Sequence, residues 1–234
     1  MRQIVLETET TGIRVEDNHR IIEIGCIEMI NRKITQNHFH TYLNPLRPID
    51  AGAQAVHGIT SDFLQDKPLF KDIAESFLQF IMGTDLIIHN APFDLSFLQD
   101  ELHRAKSSYP LLTTCCNVID TLPMARQRHV GQRNNLDALC KRYKVDHSKR
   151  DYHGALLDAH LLAQVYLAMT GGQSSLFDLP DTASTAPTPS ASSTTMAAPS
   201  GGRVIHADKI EQKDHAAYLE YLSKKGGCLW TKNE

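Results

Sequence analysis

Four carboxylates of this chain stand among apolar or small residues. Glu7 and Glu9 lie in VLETETTG (5–12), Asp94 closes HNAPFD (89–94) and Asp158 closes HGALLD (153–158). Strand side chains alternate, so carboxylates two residues apart point to the same face. Asp158 has Gly154, Leu161, Leu162 and Val165 at helical spacing, which puts it on the apolar face of a helix. An isolated carboxylate there is costly unless something compensates it. Four acids meeting at one point would repel and be pushed toward protonation. A divalent cation removes that problem, because Mg²⁺ and Mn²⁺ choose hard oxygen ligands and accept phosphate beside them. Four acids without a cysteine site describe a two-metal phosphodiester centre. Each acid also has an ordinary structural role open to it. Asp94 could favour a helix N-terminus through the dipole, Asp158 could be a satisfied buried acid, and Glu7 and Glu9 could end an exposed strand. Taken together, the contexts favour the metal reading. His153 precedes Asp158 by five residues, about 500° of helical rotation, so the two would not share a helix face. The spacing predicts His153 in the loop or first turn before the helix, leaning over the acids rather than ligating beside Asp158. An imidazole so placed can take a proton from water at neutral pH.

The elements that must position these groups are readable over 1–170. Residues 2–7 predict a first strand and 20–30, RIIEIGCIEMI, a half-buried second, with Ile22, Ile24, Cys26 and Glu28 on one side. Asn31-Arg32 offers a turn into a third strand, 37–43. Helical spacing runs through 71–81, with Ile73, Phe77, Phe80 and Ile81. A short buried strand follows at 85–90. Pro92 marks a helix start with Asn90 near its cap. Residues 134–143 and 154–169 read as two further helices, the last stopping at Gly171-Gly172. Antiparallel strands first and helices between later strands predict an α/β fold, a mixed sheet with helices on its faces.

The chain has 234 residues, 41% hydrophobic and 22% charged, which is ordinary globular usage. Its opening, MRQIVLE, reaches a charge after three apolar residues, which is not a signal peptide. No apolar run approaches the roughly 18 residues of a membrane span. A soluble, cytoplasmic protein is expected. Five cysteines, at 26, 115, 116, 140 and 228, form no CxxC pair, which argues against a disulfide framework or a zinc site. A net charge of −3 is not that of a protein that wraps duplex DNA by bulk charge, so any nucleic acid must be held at a local site. Composition changes after Phe177. Residues 178–202, DLPDTASTAPTPSASSTTMAAPSGG, cannot bury a core and predict a flexible linker. Residues 203–234 carry a helical stretch and the single tryptophan. A tail so short predicts docking onto another protein.

ETETTG, HNAPFD and HGALLD, in this order, resemble the three motifs of the DEDD exonuclease superfamily in its histidine branch, DEDDh. VHGI (56–59), QRNNLDALCKRY (132–143), LLDAHLLAQVYLAMTGGQ (156–173) and KKGGCLW (224–230) extend the likeness to the proofreading subunits of bacterial DNA polymerase III. The resemblance covers nearly all of 1–173 and returns at the end of the chain. It implies a ribonuclease H-like fold, a mixed five-stranded sheet flanked by helices. It implies two divalent metal ions, Mg²⁺ or Mn²⁺. Glu7, Glu9 and Asp158 would hold the first, Glu7 would bridge to the second, and Asp94 would hold the second through water. His153 would be the general base. Thr10, Thr11 and Gly12 would lie against the 3′-terminal nucleotide. Ile13, Val56, His57, Asn90 and Phe93 would line the pocket for unpaired terminal bases. The reaction implied is release of nucleoside 5′-monophosphates from DNA 3′ ends, mismatched ends being favoured because they fray.

The same resemblance divides the chain into an exonuclease domain (1–172), a sliding-clamp motif QSSLF (173–177), the linker (178–202) and a polymerase-binding tail (203–234). Gln173, Leu176 and Phe177 would dock on the clamp, while Leu229 and Trp230 would anchor the tail on the polymerase alpha subunit. A small accessory subunit is a further possible partner. The chain departs from the family pattern at Glu7, where the pattern has Asp. One extra methylene on a bridging carboxylate leaves a second reading open, a catalytically weakened subunit that tethers polymerase to clamp. A free-standing RNA exonuclease is the third reading, against which the linker, QSSLF and tail argue.

Overall fold

The computed structural model describes residues 1–148 and 152–171, and the predicted clamp motif, linker and tail lie outside the described residues. The chain opens with three strands, β1 (Arg2–Thr10), β2 (Ile21–Ile30) and β3 (Lys33–Tyr42). Asn31 and Arg32 join β2 to β3 with φ of 49° and 64°, the two left-handed residues that a tight hairpin turn needs. Two short helices, α1 (Ala51–His57) and α2 (Ser61–Leu64), precede α3 (Phe70–Ile81). Then come β4 (Asp85–Ile88), α4 (Ala91–Ala105), α5 (Leu112–Cys115), β5 (Asn117–Asp120), α6 (Thr121–Arg128), α7 (Leu136–Tyr143) and α8 (Ala155–Thr170).

The five strands form one mixed sheet in the order β3-β2-β1-β4-β5. The β1–β2 and β2–β3 pairs are antiparallel, while β1–β4 and β4–β5 are parallel. One face packs Ile4 and Leu6 of β1 with Phe77 of α3 and Phe97 of α4. The other packs Val5 of β1 with Leu139 of α7 and Leu162 of α8. This is the ribonuclease H-like arrangement that the resemblance implies. Among the described residues no helix is long and apolar enough to cross a membrane.

Strand β2 corrects the sequence reading. It is buried from Ile21 to Met29 rather than on alternate residues, because helices cover both faces of the sheet. Strand β1 runs on to Thr10 and β3 starts at Lys33, both longer than their apolar patterns suggest.

Two features of this frame position the site. The parallel strands β1, β4 and β5 end on one edge of the sheet, at Thr10, Ile88 and Asp120, and such an edge is where α/β sheets collect functional groups. Helix α8 reaches the sheet only because residue 25 is glycine. A Cβ there would lie 2.3 Å from the backbone of Ala155 and Leu156. Gly25 is also the register partner of Glu7, so the first turn of α8 is pressed against the strand pair that carries the acids.

Candidate active site

Residues Ile4 and Leu6 point to the α3–α4 side and Val5 to the α7–α8 side. Continuing the alternation puts Glu7 and Glu9 on the α8 side. There Glu9 meets Asp158 and His153. Each offers one ligand atom, and the three atoms lie within 4.8 Å of one another. His153 precedes the cap residue Gly154, in the loop where the sequence places it. It stands closer to Asp158 than expected, with Nδ1 3.4 Å from Oδ2. His153 is outside the helix, so helical rotation does not separate the pair. Its backbone N–H donates to the Val56 carbonyl at the end of α1, 3.2 Å away, which folds the loop back over the first turn of α8.

Asp94 approaches the end of β1 from the opposite face, in the first turn of α4. It is 2% exposed. Its Oδ1 accepts from the Thr8 N–H (3.1 Å) and the Thr8 hydroxyl (2.7 Å). Burial outweighs those donors and pushes its pKa up to about 7. Asp94 stands outside the Glu9–His153–Asp158 group, whose two carboxylates and imidazole at one strand end fit a hard divalent cation.

A cleft of about 300 Å³ opens between the loop after β1 and helix α1, lined by Gly12, Ile13, Asp50, Gly52, Ala53 and Val56. Ile13 is 80% and Val56 47% exposed, so its walls present bare apolar surface. Gly12, Ile13 and Val56 therefore come together as a group. The other residues expected around the nucleotide are placed differently. Thr10 and Thr11 are buried, and their hydroxyls shape the loop: Thr10 donates to the Gly12 carbonyl (2.6 Å), and Thr11 lies 3.0 Å from His19 Nδ1. Gly12 is demanded by His19, whose ring would lie 2.2 Å from a Cβ. His57 is buried, its Nδ1 accepting from the Ile59 N–H, and burial lowers its pKa. Phe93 is half-buried against Phe97, with ring centroids 5.0 Å apart. Asn90 faces a separate cavity, with His89 and Arg126.

An exonuclease family model matches residues 4–166. The DNA polymerase III subunit epsilon of Salmonella typhimurium is 47% identical over 235 residues, covering 98% of this chain and 97% of that protein. The chain belongs to the DNA polymerase III epsilon family of exonucleases. The Escherichia coli epsilon subunit is likewise 47% identical with the same coverage, and that of Rickettsia prowazekii is 54% identical over 179 residues, 76% of this chain and 78% of that one. Among solved structures, Exonuclease X in complex with 5′-overhanging duplex DNA superposes with a TM-score of 0.56 at 26% identity, covering 72% of this chain and 91% of that one. A full-length 3′-exonuclease superposes at 0.59 with 17% identity, covering 72% and 60%, which speaks for the fold alone.

In this epsilon-family exonuclease the sequence reading missed Glu23. It is the third residue of β2, 2% exposed and opposite Glu9. Its Oε2 accepts the Ala155 N–H (3.1 Å) at the start of α8, and its Oε1 is 2.7 Å from His40 Nε2. Glu23 thus satisfies an orphan N–H of the helix that carries Asp158, one turn ahead of that acid. The signal was present: a carboxylate inside IIEIGC, an otherwise apolar run, needs a built partner.

Proposed function

We propose that this chain is the proofreading exonuclease of DNA polymerase III, removing nucleoside 5′-monophosphates from frayed DNA 3′ ends in the cytoplasm. The observation that supports it best is the Glu9–His153–Asp158 cluster at the end of β1, beside an open cleft with apolar walls. Glu7, Glu9 and Asp158 would hold two divalent ions, Mg²⁺ or Mn²⁺, with Asp94 acting through water. Bound metal would supply charge stabilisation at the reacting phosphate. His153 accepts the proton of the attacking water on its ring, and the Asp158 carboxylate stabilises the imidazolium that results. Ile13 and Val56 hold the unpaired terminal base, and the loop of Thr10, Thr11 and Gly12 presents its backbone to the sugar. A paired terminus must first unstack, and that cost selects mismatched ends.

QSSLF would dock on the sliding clamp through Gln173, Leu176 and Phe177. The tail 203–234 would hold the polymerase alpha subunit through Leu229 and Trp230, and a small accessory subunit is a further candidate partner. The linker would keep the exonuclease at high effective concentration near the primer end.

Digestion of single-stranded DNA with Mg²⁺ or Mn²⁺ tests the reading, with Glu7→Asp and Asp158→Ala beside the wild type. Shortening from the 3′ end that Asp158→Ala abolishes supports it. A silent wild type revived by Glu7→Asp makes the chain a tethering subunit, and faster cleavage of RNA than of DNA makes it an RNA nuclease.

A further inference from the structure

The largest cavity described, about 640 Å³, belongs to neither the acids nor the apolar cleft. It opens between the turn after β4 and the loop joining α6 to α7, and its lining includes His89, Asn90, Arg126, Gln132 and Asn134. A ligand-sized space with few polar anchors is the ordinary form of a binding site. Its place in the sheet is informative. It sits at the ends of β4 and β5, on the edge where β1 delivers Glu7 and Glu9. Neighbouring strands lie about 4.8 Å apart, so this cavity is one or two strand spacings from the acids. The apolar cleft lies on the other side, with the loop whose Thr11 N–H bonds the Arg20 carbonyl just ahead of β2.

The charge is uneven as well. Residues 121–144 hold six cations, Arg126, Arg128, Arg133, Lys141, Arg142 and Lys144, against one acid, Asp137. This local charge of +5 stands in a chain of net charge −3. Arg126 lines the cavity and makes no hydrogen bond or ion pair among the described residues. The surrounding groups are tied down. Asp120 accepts from the N–H groups of Asn90 and Leu122, each at 3.0 Å. Asn134 donates to the carbonyls of His129 and Gln132, and Arg142 donates to Asn134 and to the Arg133 carbonyl. The cavity is therefore a built concavity with an uncommitted guanidinium on its wall.

We infer that this cavity holds the backbone phosphates of the DNA strand immediately upstream of the scissile bond, with Arg126 as its principal charge contact. The inference rests on the exonuclease reading for the identity of its ligand. A strand laid along this edge puts its terminal base in the apolar cleft, its scissile phosphate at the acids and its next phosphates over Arg126. Phosphate contacts of this kind position a strand without reading its sequence. They also explain how a chain of negative net charge grips DNA, by concentrating cations on one stretch.

The test uses the full chain with Arg126→Gln and Arg126→Lys. A fluorescent single-stranded oligothymidylate is titrated in EDTA and read by anisotropy at several salt concentrations. Loss of one charge-assisted contact weakens binding about tenfold for Arg126→Gln. The slope of log affinity against log salt becomes shallower by about 0.7, and Arg126→Lys restores it. In parallel, cleavage of the oligonucleotide is compared with hydrolysis of the p-nitrophenyl ester of thymidine 5′-monophosphate, which has no upstream nucleotide. kcat/KM falls about tenfold on the oligonucleotide only. Unchanged binding and salt slope in Arg126→Gln overturn the inference, as does an equal loss on both substrates. A wild type that cleaves neither substrate defeats the exonuclease reading instead, and the EDTA titration still decides whether the cavity takes the strand.

Discussion

HNAPFD and HGALLD are two copies of one local pattern, a histidine five residues ahead of an aspartate that is the fourth residue of a helix, α4 in one case and α8 in the other. Their histidines do different things. Asn90 ahead of α4 is left-handed, with φ of 68°, whereas Gly154 ahead of α8 is extended, with φ of −146°. His89 accordingly lies 2.8 Å from the Thr121 hydroxyl, and burial lowers its pKa. His153 folds onto Asp158 and keeps 42% of its side chain exposed. The aspartates differ too: Asp94 is sealed under Thr8, while Asp158 joins a cluster of donors at the site. Identical spacing thus yields a part-exposed imidazole beside an aspartate in one copy and a cavity-wall residue in the other. The backbone of the residue before the helix makes the choice.

The comparison is broken most directly by exchanging the histidines for glutamine one at a time. His153→Gln lowers kcat on single-stranded DNA by about 10²- to 10⁴-fold, the range for a lost general base, and His89→Gln changes it by less than about tenfold. Comparable losses in both would dissolve the distinction. Glu7→Asp comes next. Removing the extra methylene raises kcat by up to about 100-fold, because a 1 Å error at a metal bridge is expensive. A drop in rate would mean that β1 is already set back to suit Glu. Glu23→Gln is expected to cost about tenfold in kcat and to lower Tm by a few degrees, since it weakens a charge-assisted cap on α8 without emptying space. An unchanged Tm would remove Glu23 from the support of that helix.

The smallest effect is read without metal. Asp94 has a folded pKa of about 7 against an ordinary value of 3.8, so between those values the folded state binds more protons than the unfolded one. Its contribution to stability is whole below pH 4 and is lost as pH rises through about 7, by at most a few kcal/mol. Urea midpoints in EDTA from pH 5 to 8 should therefore fall more steeply for wild type than for Asp94→Asn. Parallel profiles would mean that Asp94 is ionised in the folded protein throughout.

Motif spacing and local signals were enough to predict that Glu9, Asp158 and the histidine ahead of α8 come together, and to predict four helices and the main strands in chain order. These features depend on neighbours within a turn or a strand, and the chain carries that information locally. The sheet order joining β1 to β4 and β5, the burial of β2 on both faces and the approach of α8 to Gly25 depend on residues far apart in the chain, such as Gln3 with Asp85 and Gly25 with Ala155. So does Glu23, whose partner Ala155 is 132 residues away. The short helices α1 and α6 and the four-residue β5 show too little pattern to be predicted, and tertiary packing holds them. The two clefts flanking the acids are of the same kind. Ile13, Val56 and Arg126 look like scattered surface residues until the parallel strands end on one edge and bring an apolar wall and an uncommitted cation to either side of Glu9 and Asp158.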